Sequence, residues 1–451
     1  MSDTIAAIAT GAQVAAIGII RLSGQESINI IDKVFFPAKG GLMSENPDRK
    51  LVYGRLCGMD GELLDLCLCT VSRAPNSYTG ENTAELQCHG SPVVLRAALE
   101  QLFQLGARQA GPGEFTKRAF LNGRLELSAA EAVADIIDAE SIEAARNAAG
   151  QLSGAVSRRV ESVYSLLTDI SSHYHAVLDY PDEDIEDFRL SSYITELNKA
   201  RADLKALHDS FGRGKLMNTG IPAAIVGKPN AGKSSLLNAL LGYERAIVTN
   251  VPGTTRDTIE EKLRLGSVTL RLTDTAGIRE TEDTVERMGV ERSLQAMENA
   301  MLVMVVIDGS LTPDEEDQAL IHRAEQAEKA ILVISKNDLD TAFTLVSTLP
   351  TVSVSAVTGD GLDELERIIN ELFPLPQVPA GEILTNARQA DAVARALEHM
   401  DAALETMSYG MTPDIVLTET EGAMLALGEL SGRTVREDVT NRIFQRFCVG
   451  K

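Results

Sequence analysis

The sequence has no apolar run long enough to suggest a membrane helix. Residues 300–307 form the longest such run after the N-terminal region, and this segment is far too short to cross a bilayer. Residues 4–20 are uncharged, but no basic segment precedes them and glycines interrupt them, so they do not fit a signal peptide. We therefore expect a protein without membrane contact.

Cysteine pairs are also lacking. The five cysteines include no C-x-x-C motif, and an odd number without metal-ligand spacing is typical of a reducing compartment. Cys67 and Cys69 alternate with leucines, which indicates packing positions in a strand. We therefore expect a cytoplasmic protein whose cysteines form no disulfide framework.

Positively charged residues are fewer than negatively charged ones. The chain has 42 Lys and Arg residues against 65 Asp and Glu residues, for a formal net charge of −23. This balance argues against a protein that coats nucleic acid by charge alone. Any RNA would have to be bound at a local patch or through a partner.

Length and periodicity indicate several domains. The 451 residues, with 44% apolar and 24% charged side chains, are typical of a soluble globular protein of about three domains. Residues 1–122 mix strand-like and helical stretches, 218–376 alternate strand and helix, and 123–217 and 377–451 are helical. We predict an α/β N-terminal domain and a helical domain that is interrupted by an inserted α/β domain. Within the first helical segment, we expect one continuous helix over about 192–215.

One loop carries the strongest chemical signal. Residues 227–234 read G-K-P-N-A-G-K-S, which matches the phosphate-binding P-loop, and they lie between a predicted strand at 221–226 and a predicted helix. Backbone N–H groups of such a loop point at phosphate oxygens. Lys233 adds a positive charge near the β- and γ-phosphates, and the Ser234 hydroxyl is suited to Mg²⁺. The sequence therefore predicts a nucleotide site.

Three further motifs follow predicted strands in the order expected for guanine recognition. Asp274 begins D-T-A-G, whose Asp can hold Mg²⁺ through water. Asp338 can accept hydrogen bonds from guanine N1–H and the 2-amino group, and Ser335 stands where most GTPases have Asn, so we expect somewhat weaker guanine binding. The predicted GTP contacts are Asn230, Ala231, Gly232, Lys233, Ser234, Ser235, Thr249, Asn250, Val251, Pro252, Gly253, Thr254, Thr255, Asp274, Thr275, Ala276, Gly277, Lys336, Asn337, Asp338, Ser355, Ala356 and Val357.

The residue that orients the attacking water is not evident. Many small GTPases place Gln directly after this glycine, whereas Ile278 stands here and cannot orient water. Either the protein barely hydrolyses GTP or the group lies elsewhere. Spacing alone does not choose among the candidates Glu280, Glu282, Asp283 and Glu286.

Over its full length the chain resembles the MnmE (TrmE) family of tRNA wobble-uridine modification GTPases. Several of the shared motifs lie outside the P-loop domain and separate this family from other GTPases. They are R-L-S-G at 21–24, Y-T-G-E at 78–81, E-L-Q-C-H-G at 85–90, P-G-E-F-T-K-R-A-F-L-N-G-R at 112–124, G-K-P-N-A-G-K-S at 227–234, P-G-T-T-R-D at 252–257 and F-C-V-G-K at 447–451.

The resemblance implies a homodimer whose Ras-like G domains pair across GTP or GDP. Mg²⁺ would bind Ser234 and Thr255, and Glu286 would polarise the attacking water in place of Ile278. K⁺ would act where other systems insert an arginine. Its implied ligands are Asn230, Thr249, Val251 and Thr254.

The resemblance also implies that the N-terminal domain binds a folate, as 5-formyl- or 5,10-methylene-tetrahydrofolate. The matching positions are Arg21, Glu85, Arg124 and Lys451. A carboxylate can pair with the N–H donors of the pterin, and cations suit the glutamate tail. At Arg124 other members can have Lys, which keeps the charge and changes its geometry.

Each of these residues has a structural alternative. Arg21 and Glu85 can form an ion pair near the domain surface, and His89 can be a hydrogen-bonded structural residue instead of a general base. The resemblance gives Cys448 a part in the uridine chemistry, whereas the alternative is a thiol that packs at a helix end.

The implied function is modification of wobble uridine 34 at C5 with a (carboxymethyl)aminomethyl group. A flavoprotein partner of the MnmG (GidA) family would bring FAD and NADH, and tRNA would be the substrate. The alternative is a ribosome-assembly or regulatory GTPase that acts as a binding switch. Ile278 favours a regulator, whereas the sequence has no second P-loop, G-x-x-G RNA-binding module or basic tail of the ribosome-assembly class.

Overall fold

The computed structural model describes residues 3–11, 13–179, 190–242, 248–249, 261–266, 268–272, 296–339, 343, 347–374, 379, 381–410, 412–434, 437–445 and 447–450. Packing divides the chain into two compact units. The first comprises Met1–Ala134, Gln151–Leu204 and Asp391–Lys451, and the second comprises Asp135–Gly150 and Lys205–Ala390. This division does not follow the sequence segments, whose boundaries stay predictions.

The N-terminal part of the first unit is built on a largely antiparallel sheet. Its strand order is β3-β4-β5-β6-β2-β1-β7, and only β1 and β7 pair in parallel. The short helix α1 (Ser27–Ile31), a 3₁₀ turn (Met43–Glu45) and α2 (Pro92–Gln104) accompany it. The strands are β1 (Ile5–Ile8), β2 (Ala15–Ser23), β3 (Phe35–Pro37), β4 (Val52–Cys57), β5 (Leu63–Ser72), β6 (Thr83–Gly90) and β7 (Arg108–Gln109).

Side-chain alternation explains why this sheet has one core face. Along β6, Ala84, Leu86 and Cys88 are buried, while the intervening Glu85 and Gln87 belong to the other face. Leu95 and Leu102 of α2 join the buried face in one apolar core. The outer face is therefore free to carry polar side chains.

Helices follow this sheet. They are α3 (Glu114–Leu121), α4 (Leu127–Asp138), α5 (Ile142–Leu152), α6 (Ala155–Asp179), α7 (Leu190–Asp209) and α8 (Phe211–Thr219). The prediction of a single helix over 192–215 is wrong, because the helix is interrupted at Ser210, between α7 and α8. The Ser210 hydroxyl donates to Leu207 O at 2.6 Å and accepts from Leu384 N–H at 3.0 Å, so a local side-chain bond interrupts the helix.

The second unit contains a mostly parallel sheet of order β14-β13-β12-β8-β11-β10-β9. The central β8 pairs in parallel with β11 on one side and β12 on the other, which makes its carboxyl end a topological switch point. The strands are β8 (Ile221–Val226), β9 (Val248–Thr249), β10 (Glu261–Leu265), β11 (Val268–Leu272), β12 (Leu302–Asp308), β13 (Ala330–Ser335) and β14 (Thr351–Ser353). The helices are α9 (Lys233–Gly242), α10 (Glu315–Ala324) and α11 (Leu362–Leu372).

The chain then returns to helices α12 (Ala387–Ser408), α13 (Pro413–Ser431) and α14 (Glu437–Phe444). Buried residues recur every three or four positions along α6 and again along α13, which is the pattern of helices that pack in a core. The predicted fold class is confirmed: an α/β N-terminal region, and helices interrupted by a P-loop α/β domain. Within the described part of the chain, no helix is both long enough and apolar enough to span a membrane.

Candidate functional site

The P-loop connects β8 to α9 at the switch point of the second sheet. Gly227 has φ 155°, and a Cβ atom there would lie 2.3 Å from Val306 O. Gly232 also has a positive φ, of 96°. The loop therefore needs glycine at both positions, and it leads directly into the N-terminus of α9, where backbone N–H groups suit an anion.

Lys233 lies over the inside of this loop. Its Nζ donates to Gly227 O and to Lys228 O, each at 2.7 Å. Burial lowers the pKa of the Lys233 ammonium from its usual value. Ser234 and Ser235 follow in the first turn of α9 with exposed side chains, and Asn230 is exposed at the loop tip with φ 63°. The structure thus brings together the predicted P-loop residues from Asn230 to Ser235.

The predicted guanine-binding residues meet at the ends of β13 and β14. Lys336 has φ 59°, which turns the chain sharply, and Asn337 N–H donates to Val354 O at 3.2 Å. The buried Ser355 hydroxyl donates to Asp338 Oδ1 at 2.7 Å and so orients the exposed carboxylate. Ser355 N–H donates to Asp360 O at 2.9 Å, and the predicted contact of a backbone N–H with guanine O6 stays a prediction.

Sequence reasoning missed Asp308, which holds the predicted Lys336. Lys336 Nζ lies 2.5 Å from Asp308 Oδ2, while Asp308 Oδ1 accepts from the Ser310 N–H and hydroxyl. Burial by itself would raise the pKa of Asp308, but these hydrogen bonds outweigh burial and lower it. The available signal was an Asp at the end of β12, directly beside Ser335 in the parallel register.

The Ser335 side chain connects the P-loop to the sheet through hydrogen bonds. Its hydroxyl lies 2.5 Å from Ala231 O and 3.1 Å from Ile307 O, and the side chain is buried. The shorter side chain, in the position where most GTPases have Asn, therefore still reaches the phosphate-binding loop. Its effect on guanine affinity stays a prediction.

Several predicted site residues lie outside the described part of the chain. Thr249 is described only as the last residue of β9. The residues outside are Asn250, Val251, Pro252, Gly253, Thr254, Thr255, Asp274, Thr275, Ala276, Gly277, Glu286 and Lys451. Their predicted roles with Mg²⁺, K⁺, water and folate stay predictions.

In the N-terminal region, Arg21 and Glu85 meet on the outer face of the sheet. They are paired across β2 and β6, and Arg21 Nε donates to Glu85 Oε1 at 2.8 Å. Both side chains are about one quarter exposed, at 22% and 27%. The Arg21 guanidinium lies 5.8 Å from the ring centroids of Tyr78 and Phe115. The pair therefore forms a polar site beside aromatic rings.

Thr70 is a second residue that the sequence did not reveal. It is paired with Glu85 on the other side of β6, so Arg21, Glu85 and Thr70 form one row across three strands. Thr70 Oγ1 is buried and has no hydrogen-bond partner among the described residues. An isolated Thr in a strand gives no sequence signal, because only the strand pairing places it beside Glu85.

Arg124 approaches the same region through the loop that carries Tyr78. Gly80 in this loop has φ 77°, and a Cβ atom there would lie 3.2 Å from Arg124 Cγ. The Arg124 side chain is exposed, and Arg124 N–H donates to Ala119 O at 2.8 Å. Its charged end is therefore available to a ligand.

A buried arginine organises the adjacent helix α3. Arg118 is 8% exposed and donates to Asp3, Glu81 and Glu114 at 2.8–3.1 Å. Burial would raise the pKa of Glu114, but hydrogen bonds from Arg108, Gly111 N–H and Arg118 lower it to about 2. The carboxylates of Asp3, Glu81 and Glu114 hold α3 and the residues just before it, which connect the Arg21 site to the C-terminal residues.

The C-terminal residues pair with the loop just before α3. Val449 forms a β-bridge with Pro112, and Gly113 N–H donates to Cys448 O at 3.3 Å. The Phe447 side chain is buried against Phe444, whereas the Cys448 side chain is exposed. This exposure does not fit the alternative of a packing thiol at a helix end.

His89 has the structural surroundings expected of it. Its Nδ1 lies 2.7 Å from Asp65 Oδ1, and its backbone N–H donates to Asp65 Oδ2 at 2.8 Å. The imidazole is 75% exposed. The contacts hold the end of β6 and do not direct His89 toward the Arg21 site.

Comparison with known proteins covers the whole chain. Residues 4–124 match the family model "GTP-binding protein TrmE N-terminus", and residues 127–448 match "MnmE helical domain". A tRNA modification GTPase MnmE of Roseiflexus sp. (strain RS-1) is 41% identical and covers 100% of this chain and 99% of its own. That of Moorella thermoacetica is 42% identical and covers 100% of each. The G domain of the T. maritima FeoB iron transporter is 30% identical over 34% of this chain and 97% of its own, with a TM-score of 0.25.

The family models and the full-length relatives span the N-terminal sheet, the helices and the P-loop domain together, and they identify a GTPase that binds GTP and GDP. They also decide against the ribosome-assembly and regulatory alternatives, since the relatives that cover the full chain share one description. The chain belongs to the MnmE (TrmE) family of tRNA modification GTPases.

Proposed function

We propose that this GTPase acts with a flavoprotein of the MnmG (GidA) family to modify C5 of wobble uridine 34 in certain tRNAs. The group added is a (carboxymethyl)aminomethyl group, and its one-carbon unit comes from folate. The observation that carries the proposal is the match over the full chain, which includes the N-terminal region as well as the nucleotide site. The partner supplies FAD and NADH and, given the net charge of −23, holds much of the tRNA.

The donors of the P-loop fit Mg²⁺. Ser234 presents an exposed hydroxyl in the first turn of α9, next to the ammonium of Lys233. Thr255 would add a second hydroxyl. When bound, the ion neutralises charge that develops on the phosphates, while Lys233 orients them and Asp338 selects guanine.

The tip of the loop fits K⁺. Asn230 is exposed, and the amide oxygen of its side chain can serve as a cation ligand. The remaining proposed ligands are Thr249, Val251 and Thr254. Glu286 is proposed to orient the attacking water, since Ile278 has no polar group to do so.

The Arg21 site fits a reduced folate. Glu85 uses only Oε1 in its bond to Arg21, and no described residue bonds Oε2. Adjacent N–H donors of a pterin can pair with this oxygen, while Arg124 and Lys451 suit the negative tail.

The outer face of the N-terminal sheet supports the proposed homodimer. Phe36, Tyr53 and Leu66 lie on this face and are 40%, 53% and 43% exposed. Exposed apolar patches of this kind are typical of protein interfaces. We therefore propose that two copies of the chain associate through this face and that their G domains pair during turnover.

Nucleoside mass spectrometry of tRNA from a deletion strain tests the proposal. We expect C5-modified wobble uridines to disappear and to return with the wild-type gene, but not with Asp338→Asn or Cys448→Ser. Undiminished modification in the deletion strain would refute the proposed function. In the purified protein, replacing Na⁺ with K⁺ should accelerate GTP hydrolysis and promote dimer formation, and equal rates in both salts would contradict the K⁺ site.

A further inference from the structure

Two cysteines and one aspartate meet at the end of the β5–β6 pairing. The Sγ atoms of Cys67 and Cys88 and a carboxylate oxygen of Asp65 all lie within 4.8 Å of one another. The regular pairing of the strands reaches Leu68 and Gln87, so Cys67 and Cys88 are the next residues in register. They are 4% and 2% exposed, and the Asp65 side chain is 9% exposed.

Hydrogen bonds already compensate the Asp65 carboxylate, because Oδ1 accepts from the Leu66 N–H at 2.7 Å and lies 2.7 Å from His89 Nδ1, while Oδ2 accepts from the His89 N–H at 2.8 Å. Two buried thiols can fill a core as small apolar groups. Packing alone, however, gives no reason for a carboxylate oxygen within 4.8 Å of both sulfur atoms. A divalent cation at the centre of the three groups would bind all of them and displace both thiol protons.

We propose that Asp65, Cys67 and Cys88 form a binding site for a divalent cation of the zinc class. Two thiolates and a carboxylate are a donor set that zinc accepts, and a ligand distance of about 2.3 Å places tetrahedral ligand atoms roughly 3.8 Å apart. The observed separations, all within 4.8 Å, need only a small closure to reach this geometry.

His89 supports the carboxylate from outside. It bonds Asp65 Oδ2 through its N–H at 2.8 Å and Asp65 Oδ1 through its ring at 2.7 Å. Asp65 Oδ1 also accepts from the Leu66 N–H at 2.7 Å, so both of its lone pairs are used, whereas Oδ2 accepts only from the His89 N–H and keeps a lone pair for the ion. Carboxylates that ligate metals are commonly oriented by hydrogen bonds of this kind. A water molecule completes the fourth position.

The ion would join β5 to β6 where their backbone pairing ends. The opposite face of the same two strands carries Thr70 and Glu85. The cation site would therefore be structural, and it would stabilise the platform on which the polar row of the N-terminal region lies. This role does not depend on the proposed folate chemistry.

The test uses the untagged full-length protein, purified without chelator. Elemental analysis is expected to find one zinc per chain. After zinc is removed and Co²⁺ is added, we expect the thiolate-to-cobalt charge-transfer band and the visible bands of a tetrahedral site. The metal should also protect Cys67 and Cys88 from alkylation during partial unfolding, as read by peptide mass spectrometry.

Cys69 provides a matched control, because it is buried on the same face of β5 and lies outside the three-residue group. Cys67→Ser and Cys88→Ser should lose the metal and the cobalt bands, whereas Cys69→Ser should keep both. If the first two variants do not fold, the cobalt spectrum and alkylation pattern of the wild-type protein decide.

Two results would overturn the proposal. The first is a wild-type chain that contains no zinc and gives no cobalt-thiolate band. The second concerns a disulfide, since the two thiols face each other across the strands. If the protein, denatured without reductant, shows three reactive thiols instead of the five in the sequence, the pair is a disulfide and not a metal site.

Discussion

The nucleotide site is formed largely by loop backbone, whereas the Arg21 site is formed by side chains on strands. The first gathers loops at the carboxyl ends of parallel strands, and much of its binding surface is backbone that is turned inward by Gly227 and Gly232. The second is a row of side chains, Arg21, Glu85 and Thr70, on three antiparallel strands. A loop of backbone donors needs a fixed local sequence, whereas a row across strands needs only one suitable residue from each strand.

Asp338→Asn tests the first region with the largest expected effect. The carboxylate is suited to two N–H donors of guanine, and an amide would set its own donor against one of them. We expect GTP affinity to fall by roughly 10³-fold or more, as for a polar site that loses its matched partner. Displacement of a fluorescent guanine nucleotide measures the loss.

Xanthosine triphosphate sharpens this test, because its C2 carbonyl can accept from the new amide. We expect the Asp338→Asn variant to prefer it over GTP. Asp360→Asn is the matched control, since the Asp360 carboxylate bonds Thr358 and not Asp338. Wild-type GTP affinity in the Asp338 variant would show that the base is not bound here.

This difference between the two sites explains which of their residues could be predicted from the sequence. Motif and strand signals revealed the P-loop, Lys336 and Asp338, because these residues are fixed by their neighbours along the chain. The same signals missed Asp308, which acts only through Lys336, and Thr70, which becomes relevant only through its pairing with Glu85. The interruption of the helix at Ser210 was missed for a different reason, since it depends on a local bond from the Ser210 hydroxyl to Leu207 O that apolar periodicity does not reveal.

Glu114→Gln tests how far the second region depends on ionic contacts. Glu114 bonds Arg108 and the buried Arg118, so its loss leaves a guanidinium incompletely paired. We expect stability at pH 7 to fall by about 1–3 kcal/mol, as measured by urea unfolding. Glu126→Gln is the control, because Glu126 is exposed and no hydrogen bond to its carboxylate is described.

The pH dependence of this difference follows from the lowered pKa. Since the folded-state pKa of Glu114 is about 2, its stabilising contribution is complete above the ordinary pKa of a glutamate. The contribution is then lost as pH falls through the folded-state value. Wild type and Glu114→Gln should therefore converge in stability toward pH 2, and a constant difference down to that pH would contradict the ion-pair explanation.

Ser355→Ala returns to the nucleotide site for a smaller effect. The hydroxyl donates to Asp338 and accepts from the Thr358 N–H at 3.2 Å, so its removal frees the Asp338 carboxylate to rotate. We expect GTP to bind about fivefold more weakly, the effect of one hydrogen bond of about 1 kcal/mol. Ser353→Ala, at an exposed position of β14, should leave nucleotide binding unchanged, and equal effects of both variants would argue against orientation by Ser355.

Thr70→Val gives the smallest change and separates the two kinds of site most directly. Valine has nearly the shape of threonine, so the variant removes a buried hydroxyl that has no described partner while keeping the packing. An unpaired buried hydroxyl costs free energy, and we therefore expect thermal stability without ligand to stay equal or to rise by about 1 kcal/mol.

Folate binding should not respond to this change, because the buried Thr70 Oγ1 offers no surface to a ligand. We expect 5-formyl-tetrahydrofolate to bind wild type, Thr70→Val and Thr70→Ser with equal affinity in calorimetry. A Thr70→Val protein of unchanged stability that binds folate several-fold more weakly would contradict this expectation, since the hydroxyl would then have to reach the ligand. With equal affinities, the row across the sheet ends functionally at Glu85, and the second site rests on the Arg21–Glu85 pair alone.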